Sequence, residues 1–151
     1  MEAIVLTFVK ERSTAVLGTV SKDGGVQVAP IHYVVDNDSS FLFKSRATSD
    51  HISALASNNA AALAIYRHDS SFTLKAGVQL KGKVLRITDE AEMAACVELY
   101  SEVFAGAREN FDPVAVLVLS DAPSTLFRFV PEWYKFVDGW SDRFDREYRK
   151  W

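Results

Sequence analysis

A single cysteine, Cys96, among 151 residues excludes an intramolecular disulfide framework and any Cys-rich zinc module. Histidine is nearly as scarce. His32, His51 and His68 are the three present, and no pair of them has the helical or hairpin spacing that a zinc site needs, so no metal is expected. The chain has no Gly-x-Ser-x-Gly elbow and no phosphate-loop motif. A basic excess is missing too. Seventeen Lys and Arg stand against twenty Asp and Glu, a net charge of −3, which leaves nothing to neutralise a phosphate backbone and excludes a general nucleic-acid binder. No apolar run approaches the ~20 residues of a membrane helix. The start, Met1-Glu2-Ala3-Ile4-Val5, lacks the basic segment of a secretory signal. No membrane partner is expected, and the expected location is cytoplasmic.

What the chain does have is apolar content. At 48% hydrophobic residues it is too rich in them for disorder. A chain of this length buries roughly 68–70% of its unfolded surface as one domain. No linker or repeat interrupts it. The expectation is a single domain over 1–151, with 138–151 as a C-terminal arm.

Periodicity places the elements. Residues 2–11 read as a short amphipathic helix with Ile4, Val5, Phe8 and Val9 on one side. Thr14 to Val20 is β-branched and reads as a strand. Lys22-Asp23-Gly24-Gly25 supplies a hairpin turn, and Val26 to Val35 is the returning strand. Pro30 within it lacks a ladder donor, so that point is an edge, a bulge or a place where a ligand approaches. Asp36-Asn37-Asp38-Ser39 turns the chain into a third strand, Ser40 to Ser45. A helix is expected from Thr48 or Ser49 to Ser57, with Ile52, Leu55 and Ala56 inward. An alanine-rich strand follows over Ala60 to Tyr66. Phe72 to Thr88 reads as one long strand or two, bent at Gly77 and Gly82. The clearest helix is Asp89 to Ala105, with Met93, Cys96, Val97, Tyr100, Val103 and Phe104 in one stripe and Gly106 at its end. Pro113 to Leu119 reads as strand or short helix. Thr125 to Val137 is a last strand or bent pair, broken at Pro131. Connections this short force antiparallel neighbours.

One stretch carries chemistry. Lys44-Ser45-Arg46-Ala47-Thr48-Ser49-Asp50-His51 gathers two cations and three hydroxyls at a strand end just before a helix start. Helix N-termini present unpaired amides to anions, so this is a candidate phosphate site. The plainer alternative is that Thr48 or Ser49 caps the helix while Lys44 and Arg46 are solvated.

The order of elements resembles the FMN-binding split barrels, the superfamily of pyridoxamine 5'-phosphate oxidase. The resemblance covers roughly residues 10–137. It rests on Ala15-Val16-Leu17-Gly18-Thr19-Val20, Val28-Ala29-Pro30-Ile31-His32-Tyr33, Phe41-Leu42-Phe43-Lys44-Ser45-Arg46 and Gly77-Val78-Gln79-Leu80-Lys81-Gly82. It implies a mainly β, α+β fold: a six-stranded antiparallel split β-barrel with flanking helices, assembled as a homodimer with the cofactor at the interface. It also implies an FMN phosphate held by Ser45 and His51 with Lys44, Arg46 and Ser49 beside them. The flavin ring would lie along Ala29, Pro30, Ile31 and His32 on backbone groups. The chain departs from the oxidase where Asp50-His51 stand in place of an Arg-Lys pair. Ala29 and Val34 likewise replace basic residues, and Gly77 replaces a glutamine, so turnover of pyridoxamine phosphate is not implied. The implied activity is an FMN-dependent oxidoreductase acting on a small molecule that the motifs do not identify. The alternatives are a flavin- or haem-binding protein without turnover, such as a carrier, a sensor or a haem-utilisation protein, and a cofactor-free interaction module. His32, on an apolar strand, is a packed residue or a haem ligand.

The tail spaces Trp140, Phe144, Tyr148 and Trp151 at i, i+4, i+8 and i+11. That spacing predicts one face of a helix, packed on its own barrel, across a partner subunit or over the flavin.

Overall fold

Side chains alternate between buried and more exposed along Thr14–Val20 and most of Val26–Val35, while Phe41, Leu42 and Phe43 are buried in succession. The computed structural model describes residues 2–67, 75–104 and 124–151. In it α1 (Ala3–Lys10) leads into β1 (Thr14–Val20) and β2 (Val26–Val35), joined by a turn in which Gly24 takes a φ of 86°. Then come β3 (Phe41–Arg46), α2 (Asp50–Leu55), β4 (Ala60–Tyr66), β5 (Ala76–Arg86), α3 (Glu90–Val103) and β6 (Ser124–Asp138). The strands pair antiparallel in the order β3-β2-β1-β4-β5-β6, and β3 pairs β6 in turn. That last pairing closes a six-stranded barrel and removes the edges an open sheet would expose.

Alternation then sorts the side chains into two cores. Phe41, Phe43, Leu17, Leu63, Leu80 and Phe129 face the barrel interior, which α1 and α2 help to close with Val5, Phe8, Val9 and Ile52. On the outside, Val34, Leu42, Ile87 and Leu126 meet Cys96 and Tyr100 of α3. The Asp89 carboxylate caps α3, accepting the Glu92 amide at 2.9 Å. Burial raises the Cys96 thiol to about 11, so it behaves as a small hydrophobe.

Several expectations are corrected in detail. Ile4 is turned outward on α1, and Val103 on α3, because a narrower stripe suffices at each contact. In α2 the buried residues are Ile52 and Ala54, whereas Ala56 is exposed. Pro131 does not break the last strand. β6 runs through it with a register shift opposite Lys81 and Gly82, where Glu132 is left out of the pairing. His68, Gly106 and the Pro113–Leu119 stretch lie outside the described residues.

The tail is not a helix. β7 (Arg143–Phe144) and β8 (Arg149–Lys150) both pair back onto β6. Ladder bonds therefore outweigh the helical spacing of the aromatics, and the aromatics part company. Trp140 and Phe144 stay exposed, while Trp151 packs on Phe41 and Tyr134 with ring centroids 5.7 and 5.8 Å away. An ionic clasp fixes this arrangement. Arg143 bonds Glu2 at 2.6 Å and Asp145 at 2.9 Å, and Arg149 reaches the same two carboxylates. Burial would raise the Asp145 carboxyl, but Arg143 and the Phe136 amide outweigh it and hold it below the usual carboxylate range. The stability it contributes is present above the ordinary value of 3.8 and is lost as pH falls through the lowered one. Asp145→Ala leaves the Phe136 amide unpaired in the interior and should cost about 2 kcal/mol in urea unfolding at neutral pH. A change under ~0.5 kcal/mol would show the clasp to be incidental.

Candidate cofactor site

The barrel is split along one seam. β2 and β3 pair only from Tyr33–Phe43 to Val35–Phe41. Among the described residues, no strand pairs with Val26–His32 on the side away from β1. The Tyr33 amide donates to Ser13 on the β1 side at 2.9 Å, so by alternation the amides of His32 and Val28 and the place of Pro30's missing donor face the open side. Pro30 thus costs no ladder bond, which is why a proline sits mid-strand. Continuing the β2–β3 register would set Ser45 opposite Ile31. The two segments singled out in the sequence therefore flank one seam.

On the β3 side, three polar side chains converge. Ser45 Oγ lies 2.8 Å from His51 Nε2 and 3.1 Å from Ser49 Oγ, and the Ser49 hydroxyl lies 3.4 Å from the same ring nitrogen. Ser49 is the residue before α2, yet its hydroxyl makes no capping bond. It donates back to the Arg46 carbonyl at 2.6 Å. The capping alternative is thus not how Ser49 is used. Burial lowers the His51 pKa below its ordinary 6.5, with Asp50 opposing the shift. The lowered pKa favours the neutral imidazole, which shares a hydrogen bond with Ser45.

The rest of the predicted set is dispersed. Lys44 follows Leu42 in the alternation, so it sits on the α3 side of β3, the opposite face from Ser45; burial lowers its pKa. Arg46 is exposed at the strand end. On β2, Ala29 and Ile31 are buried in the barrel wall, whereas Pro30 and His32 face outward. The His32 ring meets Phe104 edge-on at 5.5 Å. A groove of about 860 Å³ opens between the β1–β2 hairpin and α2, lined by Lys22, Asp23, Gln27, Asp50 and Ser53 among others. Its two carboxylates make it a poor host for a phosphate, which leaves the Ser45–Ser49–His51 corner as the anion-compatible end of the region.

Sequence reasoning missed two polar features. Arg128 of β6 bonds Asp36 and Glu92 and sits within 2.9 Å of Asp38, tying α3 to the β2–β3 turn. Tyr100 directs its hydroxyl into the sheet. A tyrosine in an otherwise apolar stripe was the available signal, since a buried phenol needs a partner.

The state of His51 is open to direct measurement. Its imidazole resonances should titrate below pH 6.5, the reference value, in ligand-free protein. Between the lowered value and the reference, the unfolded chain binds more protons, so this group's contribution to stability is complete above 6.5 and is lost as pH falls through the lowered pKa. Titration at or above the reference value would mean that the corner is solvated.

Comparison with known proteins agrees with this architecture. A profile of the pyridoxamine 5'-phosphate oxidase family matches residues 1–138. No protein of curated function matches in sequence. Among solved structures, a heme binding protein from Mycobacterium smegmatis superposes with a TM-score of 0.75 at 18% identity; 96% of this chain is covered, but only 55% of that one. HutZ, the heme storage protein of Vibrio cholerae, gives 0.70 at 17% identity, covering 87% of this chain and 89% of its own. An FAD-binding protein from Mesorhizobium loti gives 0.66 at 18% identity, covering 89% and 92%. At these identities the structures share a fold with this chain and nothing finer. The family profile spans more than nine-tenths of the residues, including both sides of the seam, and on that ground the chain belongs to the pyridoxamine 5'-phosphate oxidase family.

Proposed function

We propose that the protein is an FMN-dependent oxidoreductase that holds the cofactor phosphate at Ser45, Ser49 and His51. The flavin ring lies along the open backbone edge of residues 29–32. The observation that carries this is the convergence of two hydroxyls and an imidazole nitrogen within 3.4 Å at the mouth of the seam. Such a donor set suits an anion with several oxygens: the hydroxyls can turn outward, and His51 can take up a proton as the dianion arrives. The free amides of β2 suit the polar edge of a planar ring. Bound FMN supplies the hydride or electron transfer. The protein's part is to fix the ring and set the charge around it. The flavin- and haem-binding proteins of the same fold are compatible with this assignment, as is family membership.

A homodimer completes the proposal. The outer face of β2, β1 and β4 is apolar, with Val28, Gly18 and Ala62 in one cross-strand row. Val26, Val28 and Tyr66 on this face are 70, 67 and 61% exposed. A monomer rarely leaves so continuous an apolar sheet to water, and a second copy of the same face is its self-complementary partner. Light scattering at micromolar concentration should return about twice 16.8 kDa. Ala62→Arg should return the single mass with its fold intact, because that side chain points outward. A wild-type monomer would remove the dimer from the proposal.

A second disposition is haem bound at His32, favoured by the outward imidazole braced on Phe104. Adding FMN or hemin separately to the purified protein decides between them. FMN should lose its fluorescence with saturation at one per chain. A Soret shift with hemin and no quenching of FMN would overturn the flavin proposal, and no response to either would leave a cofactor-free module.

A further inference from the structure

The seam closes at a defined point, and one side chain stands there. Asp36 donates to Ser40 at 2.9 Å, so in this antiparallel register Val34–Leu42 is a hydrogen-bonded pair. The next such pair would be His32–Lys44. That pair is not formed. Instead the Tyr100 hydroxyl, reaching in from α3, donates to the His32 carbonyl at 3.0 Å and lies 3.0 Å from the Leu42 carbonyl. The Lys44 amide in turn donates to the phenol oxygen. One hydroxyl thus stands in for one of the two bonds of that pair and satisfies the carbonyl and the amide that would have made it. Tyr100 is only 4% exposed, its ring held among Val34, Leu42, Cys96 and Leu126 and stacked on Phe104 at 5.6 Å. A phenol so confined is not a passing contact. Losing it would leave a part-buried carbonyl and an amide without this partner, unless the strands moved together.

We propose that Tyr100 is a wedge that ends the β2–β3 ladder after Tyr33–Phe43 and so keeps the backbone edge of residues 28–32 open for a planar ligand. The proposal deepens the flavin assignment and, for its ligand half, rests on it. Tyr100 touches no reacting atom in this account and is a positioning residue. It works through the strands by setting where the seam begins and how far Ile31 stands from Ser45.

The Tyr100→Phe variant tests both halves, read by NMR and by flavin binding. Removing the hydroxyl lets His32 and Lys44 pair directly. Ile31 and Ser45, the next non-hydrogen-bonded pair, should then show an Hα–Hα contact that the wild type lacks. The narrowed edge should weaken FMN and riboflavin alike, by about tenfold, because ring placement is disturbed and phosphate recognition is not. A wholly structural tyrosine would lower the unfolding midpoint while leaving the Ile31–Ser45 contact absent and both affinities unchanged, and that result overturns the wedge. If the new contact appears while both affinities stay at the wild-type value, the wedge stands and the placement of the ring along β2 fails. Should the variant not fold, the wild-type protein gives the answer. A slowly exchanging Tyr100 hydroxyl proton with a cross-peak to the Lys44 amide is expected, and its absence contradicts the wedge.

Discussion

Ser45→Ala combined with His51→Ala is expected to weaken FMN binding by about a hundredfold or more, and riboflavin binding by far less. The two groups lie 2.8 Å apart and would both address the phosphate. Each charge-assisted hydrogen bond contributes about 1.5–3 kcal/mol, so losing two amounts to roughly 3 kcal/mol at the low end, or two decades in affinity. Both side chains sit outside the buried apolar set, so the barrel should survive with its unfolding midpoint little changed. Riboflavin has no phosphate and provides the internal control. Equal losses for both flavins would mean a damaged pocket, and no loss for either would reduce the corner to a local hydrogen-bond cluster. Lys44→Ala, by contrast, should change FMN affinity little, because alternation carries Lys44 to the α3 face.

The largest effect on stability is expected at Gly82. A Cβ built there would stand 2.1 Å from the Val130 carbonyl oxygen and 2.9 Å from the Pro131 Cα. Both neighbours are backbone, so no rotamer change relieves the contact. The register shift beside Glu132 is what brings β6 so near. Gly82→Ala should cost about 3 kcal/mol or more and lower the thermal midpoint by roughly 6–12 °C. Gly18→Ala is the matched control. Its Cβ would meet only the Ala62 carbonyl, at an ordinary 3.8 Å, so its effect should stay within ~1 kcal/mol. Similar costs at both positions would show that strand entropy, not the close approach at the bulge, decides the matter.

These two positions also show how much of the molecule the residues announced. β1, β2 and β4 were legible to the residue because β-branched runs, alanine density and turn glycines are local properties. The barrel and its family followed from the order of such segments. The Ser45–His51 corner was legible as composition, since hydroxyls and cations at a strand–helix junction are visible in the chain. Its internal geometry was not: Lys44 leaves the group by strand parity, and Ser49 spends its hydroxyl on Arg46. The tail misled because aromatic spacing is a local signal, whereas the deciding partners lie far away in sequence. Glu2 meets Arg143 and Arg149 across nearly the whole chain, and the β6 edge offers ladder bonds that a lone helix would forgo. Tyr100 and Arg128 were hidden for the same reason. Their polar ends are satisfied by strands 58 residues or more away for Tyr100, and by α3 and the β2–β3 turn for Arg128.

Whether a phosphate meets His51 is reported by the imidazole itself. Its pKa should lie below 6.5 in the free protein and rise when FMN is bound, because a dianion beside the ring favours the protonated form. By linkage, FMN should bind more tightly as pH falls from about 7.5 toward 6.5, above the range in which the phosphate itself takes up a proton, and riboflavin affinity should stay nearly flat there. The decisive measurement is the His51 titration curve followed by NMR in three samples: free, with riboflavin and with FMN. A rise in the His51 pKa with FMN alone is the result expected here. The same curve in all three samples, with FMN bound, would place the phosphate elsewhere and contradict the assignment.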